Sequence, residues 1–183
     1  MRSQEMTDTA LASDARRRYL AVRSGVAQGA PITLLHIGAA QTLIATGTHA
    51  EPAAILFLDV GSRTTATDFF KHEPPTPGEM ENAIMAIEDA VIGSRPMIPG
   101  ISALLTTDQA IREIALIAGA QDQPEVILGI DATERTFERL AAIMLGRPVS
   151  QDSIPTTPTF AATLLILREF MHHLKFASIT VKA

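Results

Sequence analysis

Histidines and carboxylates carry most of the chemical range in this sequence. His36 interrupts an apolar run, Ile32–Ile37, where a polar ring is out of place. It could act there as a general base or a ligand. The favoured role is a half-buried strand histidine hydrogen-bonded to backbone. His72-Glu73 precedes a proline pair and would need a further ligand to hold a metal, so a solvated loop is expected. His172 and His173 are adjacent on a helical pattern and point about 100° apart, so they cannot chelate one ion together. Asp59, Arg63 and Asp68, with Thr64, Thr65 and Thr67, form a polar stretch after an apolar run. It could face a ligand, but a salt-bridged edge strand is favoured. Glu79, Glu81, Glu88 and Asp89 read as a solvated acidic helix surface. Arg16, Arg17, Arg18 and Arg23 read as a basic helix face or an anion contact. There is no cysteine, which removes disulfides, thiolate metal sites and cysteine nucleophiles. No nucleophile elbow, Walker lysine loop, His-Glu-x-x-His or EF-hand loop is present.

Those side chains need a frame. The chain has 183 residues, 46% of them apolar and 19% charged, which suits one packed domain and excludes wholesale disorder. A net charge of -5, no tryptophan and a single tyrosine argue against nucleic acid as a partner. No apolar leader or membrane span is read, and a cytoplasmic protein is expected. Residues 24–50 lack Asp, Glu, Lys and Arg, but glycines, Pro31 and polar residues interrupt them, so they read as strands. Residues 1–8 are expected to be a flexible tail, followed by a helix from Thr9 to Arg23. Ile32–Ile37, Thr42–Thr46 and Ala54–Val60 form a three-stranded antiparallel meander, with a tight hairpin over Gly38–Gln41. Thr76-Pro77-Gly78-Glu79 is a helix start with a capping box, and that helix ends near Gly93. Ile101–Leu105 is a strand, and Thr107 or Asp108 caps a helix to about Ala118. Asp131 and Glu134 suggest a second capping box. A helix over Phe160–Leu174 is apolar nearly all round and should be central. Ala177–Lys182 closes as a strand. Pattern alone supports an α/β class.

Several segments, in order, resemble the exopolyphosphatase and guanosine pentaphosphate phosphohydrolase (Ppx/GppA) family. Ser13-Asp14-Ala15-Arg16 followed by Tyr19-Leu20-Ala21-Val22 is similar to the acidic-Ala-Arg helix at that family's domain junction. Leu35-His36-Ile37-Gly38-Ala39-Ala40-Gln41-Thr42 sits where the family has an Asp-Ile-Gly-Gly-Gly-Ser-Thr hairpin. Val60-Gly61-Ser62, Phe69 and Pro74-Pro75-Thr76-Pro77 look like the next strand and helix start. Ile111-Arg112 resembles the helix after a second glycine turn. Leu165-Ile166-Leu167 through Ile179-Thr180-Val181 looks like the last helix and strand. The resemblance covers residues 9–183 as a single second domain of that two-domain family. It implies a ribonuclease-H-like fold, one half of an actin-like phosphatase, with the first domain missing.

The resemblance also assigns sites. The phosphate-loop equivalents are His36, Gly38, Ala39, Ala40, Gln41 and Thr42 in the hairpin, with Thr107 and Asp108 in the second turn. These departures from the family's pattern imply a degenerate site. Ala39 and Ala40 are expected to reproduce a glycine turn only with strain. Asp108 would put negative charge where phosphate should sit. The implied role is a non-catalytic module for ligand binding or assembly. It would act as a homodimer or with a companion domain, with a phosphate-containing ligand and no resident cofactor. The hairpin around Gly38 and the 9–23 helix are expected near the dimer interface. The alternative is a Mg²⁺-dependent phosphohydrolase on polyphosphate or a guanosine polyphosphate. Asp14 would then orient water, and a dimer or partner would complete the cleft. A third reading is a small-molecule or metal sensor with His36 as ligand.

Overall fold

A computed structural model describes the backbone of residues 2–183 and the side chains of residues 9–183. Six helices and six strands follow the order α1 (Arg2–Arg23), β1 (Ile32–Ile37), β2 (Thr42–Gly47), β3 (Ala54–Leu58), α2 (Ser62–Phe69), α3 (Pro77–Ser94), β4 (Ala103–Thr106), α4 (Gln109–Ile117), β5 (Glu125–Gly129), α5 (Ile130–Met144), α6 (Pro158–His173) and β6 (Ser178–Lys182). The strands make one sheet in the order β3-β2-β1-β4-β6-β5. The first three form the expected antiparallel meander, with Leu34 opposite Ala45 and Ile44 opposite Leu56. β4 joins β1 in parallel, β6 joins β4 in parallel, and β5 closes antiparallel on β6.

Strand alternation sorts the core into two layers. Ile32, Leu34, Leu43, Ala45 and Leu105 meet Ala15, Tyr19 and Val22 of α1 on one face. Leu35, Ile37, Ile44 and Leu104 meet the remaining helices on the other. α6 is the axis of that layer: residues 161–167 are buried without a break, as its all-round apolar character demands. Its entry is fixed by Pro158 and by Thr157, whose hydroxyl accepts from the Phe160 N–H at 3.3 Å. The α3 capping box forms as expected. Thr76 accepts from the Glu79 N–H at 3.3 Å, and Glu79 accepts from the Thr76 N–H at 2.8 Å.

Three expectations are corrected. α1 begins at Arg2 rather than at the expected Thr9, and Met1 lies outside the described residues. The Asp59–Asp68 stretch is not an edge strand: Ser62–Phe69 is a helix, started by Gly61 and packed on α6. Its threonines favour strand intrinsically, and tertiary packing overrides them. Asp131 and Glu134 form no capping box. α5 starts at Ile130 behind Gly129, and Glu134 turns instead to Arg168 at 2.7 Å. β5 has no counterpart in the sequence reading. Among the described residues, no helix is long and apolar enough to cross a membrane.

Candidate functional site

The β1–β2 hairpin is tight: the Gly38 N–H donates to the Gln41 carbonyl at 3.0 Å. Ala39 and Ala40 do not adopt left-handed φ, so the expected strain is absent. The turn leans on Gly61 and caps α2 directly. The Gly38 carbonyl accepts from the Ser62 N–H at 2.9 Å, and the Ala39 carbonyl accepts from Arg63 and Thr64 at 2.9 and 3.1 Å. The Thr64 hydroxyl donates to the Ala40 carbonyl at 3.0 Å. Helix N-terminal donors of this kind are ready anion sites. Here the chain's own carbonyls take them. Thr42 is buried, and its hydroxyl donates to the Val60 carbonyl at 2.6 Å.

Asp108 precedes α4 but does not cap it. Its carboxylate crosses to β1 instead. Oδ2 accepts the Ile37 N–H at 2.7 Å, and Oδ1 pairs with His36 Nδ1. The Thr106 hydroxyl accepts the Asp108 N–H at 3.0 Å, and Asp108 is 8% exposed. With Nδ1 committed to Asp108, Nε2 is the ring nitrogen turned toward Gly38, 3.7 Å from where a Cβ would stand. Thus His36 is held by a side chain rather than by backbone, contrary to the sequence expectation.

α1 supplies the facing wall. Arg18 Nη1 comes within 3.5 Å of His36 Nδ1, and Arg18 Nε donates to Asp14 at 2.7 Å. Arg17 donates to the other Asp14 oxygen. The Arg18 hydrogen bond, with Arg17 beside it, holds the Asp14 carboxyl below its ordinary range against an opposing effect of burial. Asp14 is therefore ionised with both oxygens engaged by guanidinium groups. Between these walls lies an open cleft of ≈190 Å³, lined by Asp14, His36, Gly38, Ala40 and Gln41 with Leu11, Leu43 and Phe57. Gln41 Nε2 donates to Asp59 at 2.7 Å at its rim.

The structure brings together five of the residues singled out in sequence: Asp14, His36, Gly38, Ala40 and Gln41. Asp108 backs His36, Thr107 is half-buried beside it, and Ala39 and Thr42 are turned to structural bonds. His72 pairs with Glu79 at 2.9 Å, and His173 pairs with Glu169 at 3.0 Å. Among the described residues, no group of three or more His, Asp or Glu side chains is placed to hold a metal ion. Leu11, Leu43 and Phe57 escaped sequence reading, because apolar side chains lining a cleft look like any other core residues. Arg18 was visible only as part of a basic run.

Solved structures with the same fold include a Ppx/GppA phosphatase of Aquifex aeolicus in its type II variant. It is 15% identical with a TM-score of 0.78 over 93% of this chain and 59% of that one. An exopolyphosphatase-like protein is 11% identical with a TM-score of 0.74 over 93% and 62%. An exopolyphosphatase from Cytophaga hutchinsonii is 12% identical with a TM-score of 0.73 over 92% and 58%. At these identities the likeness establishes the fold, an actin-like, ribonuclease-H-like α/β domain. This chain spans about 59% of the length of the first of those structures. No protein-family model matches the chain, and no curated protein does.

Proposed function

We infer that this chain corresponds to one half of a Ppx/GppA-like phosphatase and uses its cleft for ligand binding or assembly rather than hydrolysis. One observation carries this reading. Asp108 places its own carboxylate on the Ile37 N–H and on His36, which a bound phosphate oxygen would otherwise use. The hairpin and the start of α2 are likewise satisfied internally. Asp14, the one candidate for orienting water, is ion-paired with Arg17 on one carboxylate oxygen and Arg18 on the other, which weakens it as a base.

The competing reading is a Mg²⁺-dependent phosphohydrolase on polyphosphate or a guanosine polyphosphate, completed by a dimer or partner. One feature favours it: Asp14, His36 and Gly38 do face one cleft. It requires Asp14 to hold a water on the acceptor sites that its arginines leave open.

Both are tested by a thermal-shift screen with inorganic phosphate, polyphosphate and guanosine polyphosphates, with and without Mg²⁺. A ligand at a hundredfold excess over its dissociation constant stabilises by about 2.7 kcal/mol. The wild-type chain should show no Mg²⁺-dependent shift with polyphosphate. Asp108→Ala should gain a shift with inorganic phosphate, because the Ile37 N–H and His36 are released. Phosphate release by the wild type that Asp14→Asn abolishes would establish the hydrolase instead.

A further inference from the structure

Burial sets one charge apart from the others. Among the described residues, three charged side chains are more than nine-tenths buried: Arg23, Asp108 and Glu169. Asp108 pairs with His36, and Glu169 pairs with Arg168 and His173. Arg23, 7% exposed, meets no carboxylate among the described residues. Two of its five N–H donors go to carbonyls, Nη1 to Ala30 at 2.5 Å and Nη2 to Ala27 at 2.8 Å. The other three meet no acceptor among the described residues. Carbonyls carry only partial charge, and a whole helix C-terminus amounts to about half an elementary charge. A guanidinium taken out of water is costly unless its charge is matched.

Tyr19 does not match it. Arg23 acts on the ionisation of Tyr19, but burial holds the phenol above its ordinary range, so it stays neutral at pH 7. The Tyr19 hydroxyl donates to the His49 carbonyl at 3.1 Å, which brings the β2–β3 turn to this end of α1. Here Arg23 walls an open cleft of ≈420 Å³ with Val26, Gln28, His49 and Ala50. No acidic side chain is part of that lining, and Glu51, next along the turn, is directed to Arg16 at 3.6 Å. The cleft lies where Ile32 pairs with Gly47, at the opposite end of β1 and β2 from His36.

We propose that this second cleft binds a small organic carboxylate, which supplies the counter-charge to Arg23. A planar carboxylate matches the guanidinium fork, and hydrogen bonds between the two ions are the strong kind. The Gln28 amide and the His49 ring add donors at the rim. Val26 and Ala50 offer contact to a short apolar body, which an inorganic anion lacks. This site is independent of whether the cleft at His36 turns over phosphate.

The test uses the 183-residue chain at constant ionic strength, with thermal unfolding and amide NMR titrations against isobutyrate, acetate, inorganic phosphate and chloride. Isobutyrate should raise the unfolding midpoint saturably and move amides of residues 25–30 and 48–51. Acetate and phosphate should do less, and chloride should do nothing. Gln28 is exposed, so Gln28→Glu places a resident carboxylate at the rim without disturbing Arg23. It should raise the midpoint in the absence of added anion and weaken isobutyrate binding by roughly tenfold or more. Arg23→Gln should lose the response, and Gln28→Glu decides the matter if that variant does not fold. The proposal is overturned by no saturable response in the wild type, or by an undiminished response in Gln28→Glu. A response to phosphate but not to isobutyrate, or amide shifts confined to residues 36–41, would overturn it as well.

Discussion

At the scale of single residues, the site depends on close backbone approach as much as on charge. A Cβ on Gly61 would stand 2.5 Å from the Ala40 carbonyl carbon and 2.6 Å from the Ala39 oxygen. Both are backbone atoms of the hairpin, so no side chain can swing aside. Gly61→Ala should therefore destabilise the protein by about 1–3 kcal/mol, the usual cost of forced overpacking, measured by urea unfolding. Gly93, in α3, has nothing within 4 Å of such an atom. There the same change should stabilise by about 0.5–1 kcal/mol through a less flexible unfolded chain. Gly38, Ala39 and Ala40 were readable in the sequence as a turn, and His36 as a residue out of place. The partnership of His36 with Asp108 was not readable. It spans 72 positions and arises only because β1 and β4 lie side by side in the sheet.

At the scale of elements, local signals succeeded where capping chemistry is written into adjacent residues. The Thr76 N–H, His72 and the Lys71 N–H together hold the Glu79 carboxyl down at about 2, from an ordinary 4.5. A lowered carboxylate pKa adds stability above the unfolded value, and that stability is lost as pH falls toward the folded value. Asp14 and Asp152 are shifted in the same direction by arginines, so their effects add in acid. Glu79→Gln should thus be less stable than wild type at neutral pH, with the gap in urea midpoint closing below pH 4.5. A gap that stayed constant would mean that the ionised form of Glu79 contributes nothing. The end of α6 gives a second case. Lys175 takes φ 63°, and the Phe176 N–H closes on the Met171 carbonyl at 2.9 Å, a terminus suited to glycine. Lys175→Gly should raise stability by about 0.5–1 kcal/mol in thermal unfolding, because the side chain that disfavours that conformation is gone. Elements without local punctuation were harder to read. α2 has threonines where a helix former would be expected, and β5 alternates over only five residues between glutamate and glycine. Each is an element because of what it packs against.

At the scale of the whole molecule, one helix holds a core of its own. α1 packs on β1 and β2, while five helices share the opposite face. Its anchors are Tyr19, fully buried with its hydroxyl donating to the His49 carbonyl at 3.1 Å, and Arg23, which donates to the Ala27 and Ala30 carbonyls at 2.8 and 2.5 Å. The same helix carries Leu11, Asp14 and Arg18 to the cleft, so the cleft has a facing wall only while α1 is docked. Such a segment, attached by few contacts, should open below the energy of global unfolding. Tyr19→Ala removes the largest anchor, at a cost of about 3 kcal/mol or more by analogy with other buried aromatics. Native-state hydrogen exchange should then show α1 amides losing roughly a hundredfold of protection, with those of α3 and α6 retained. Any ligand of the cleft found in the screen should bind this variant more weakly, because part of its free energy goes to docking the helix. Equal loss of protection in α1 and α6 would mean that the two cores unfold as one unit. The cleft would then be as rigid as the domain that carries it.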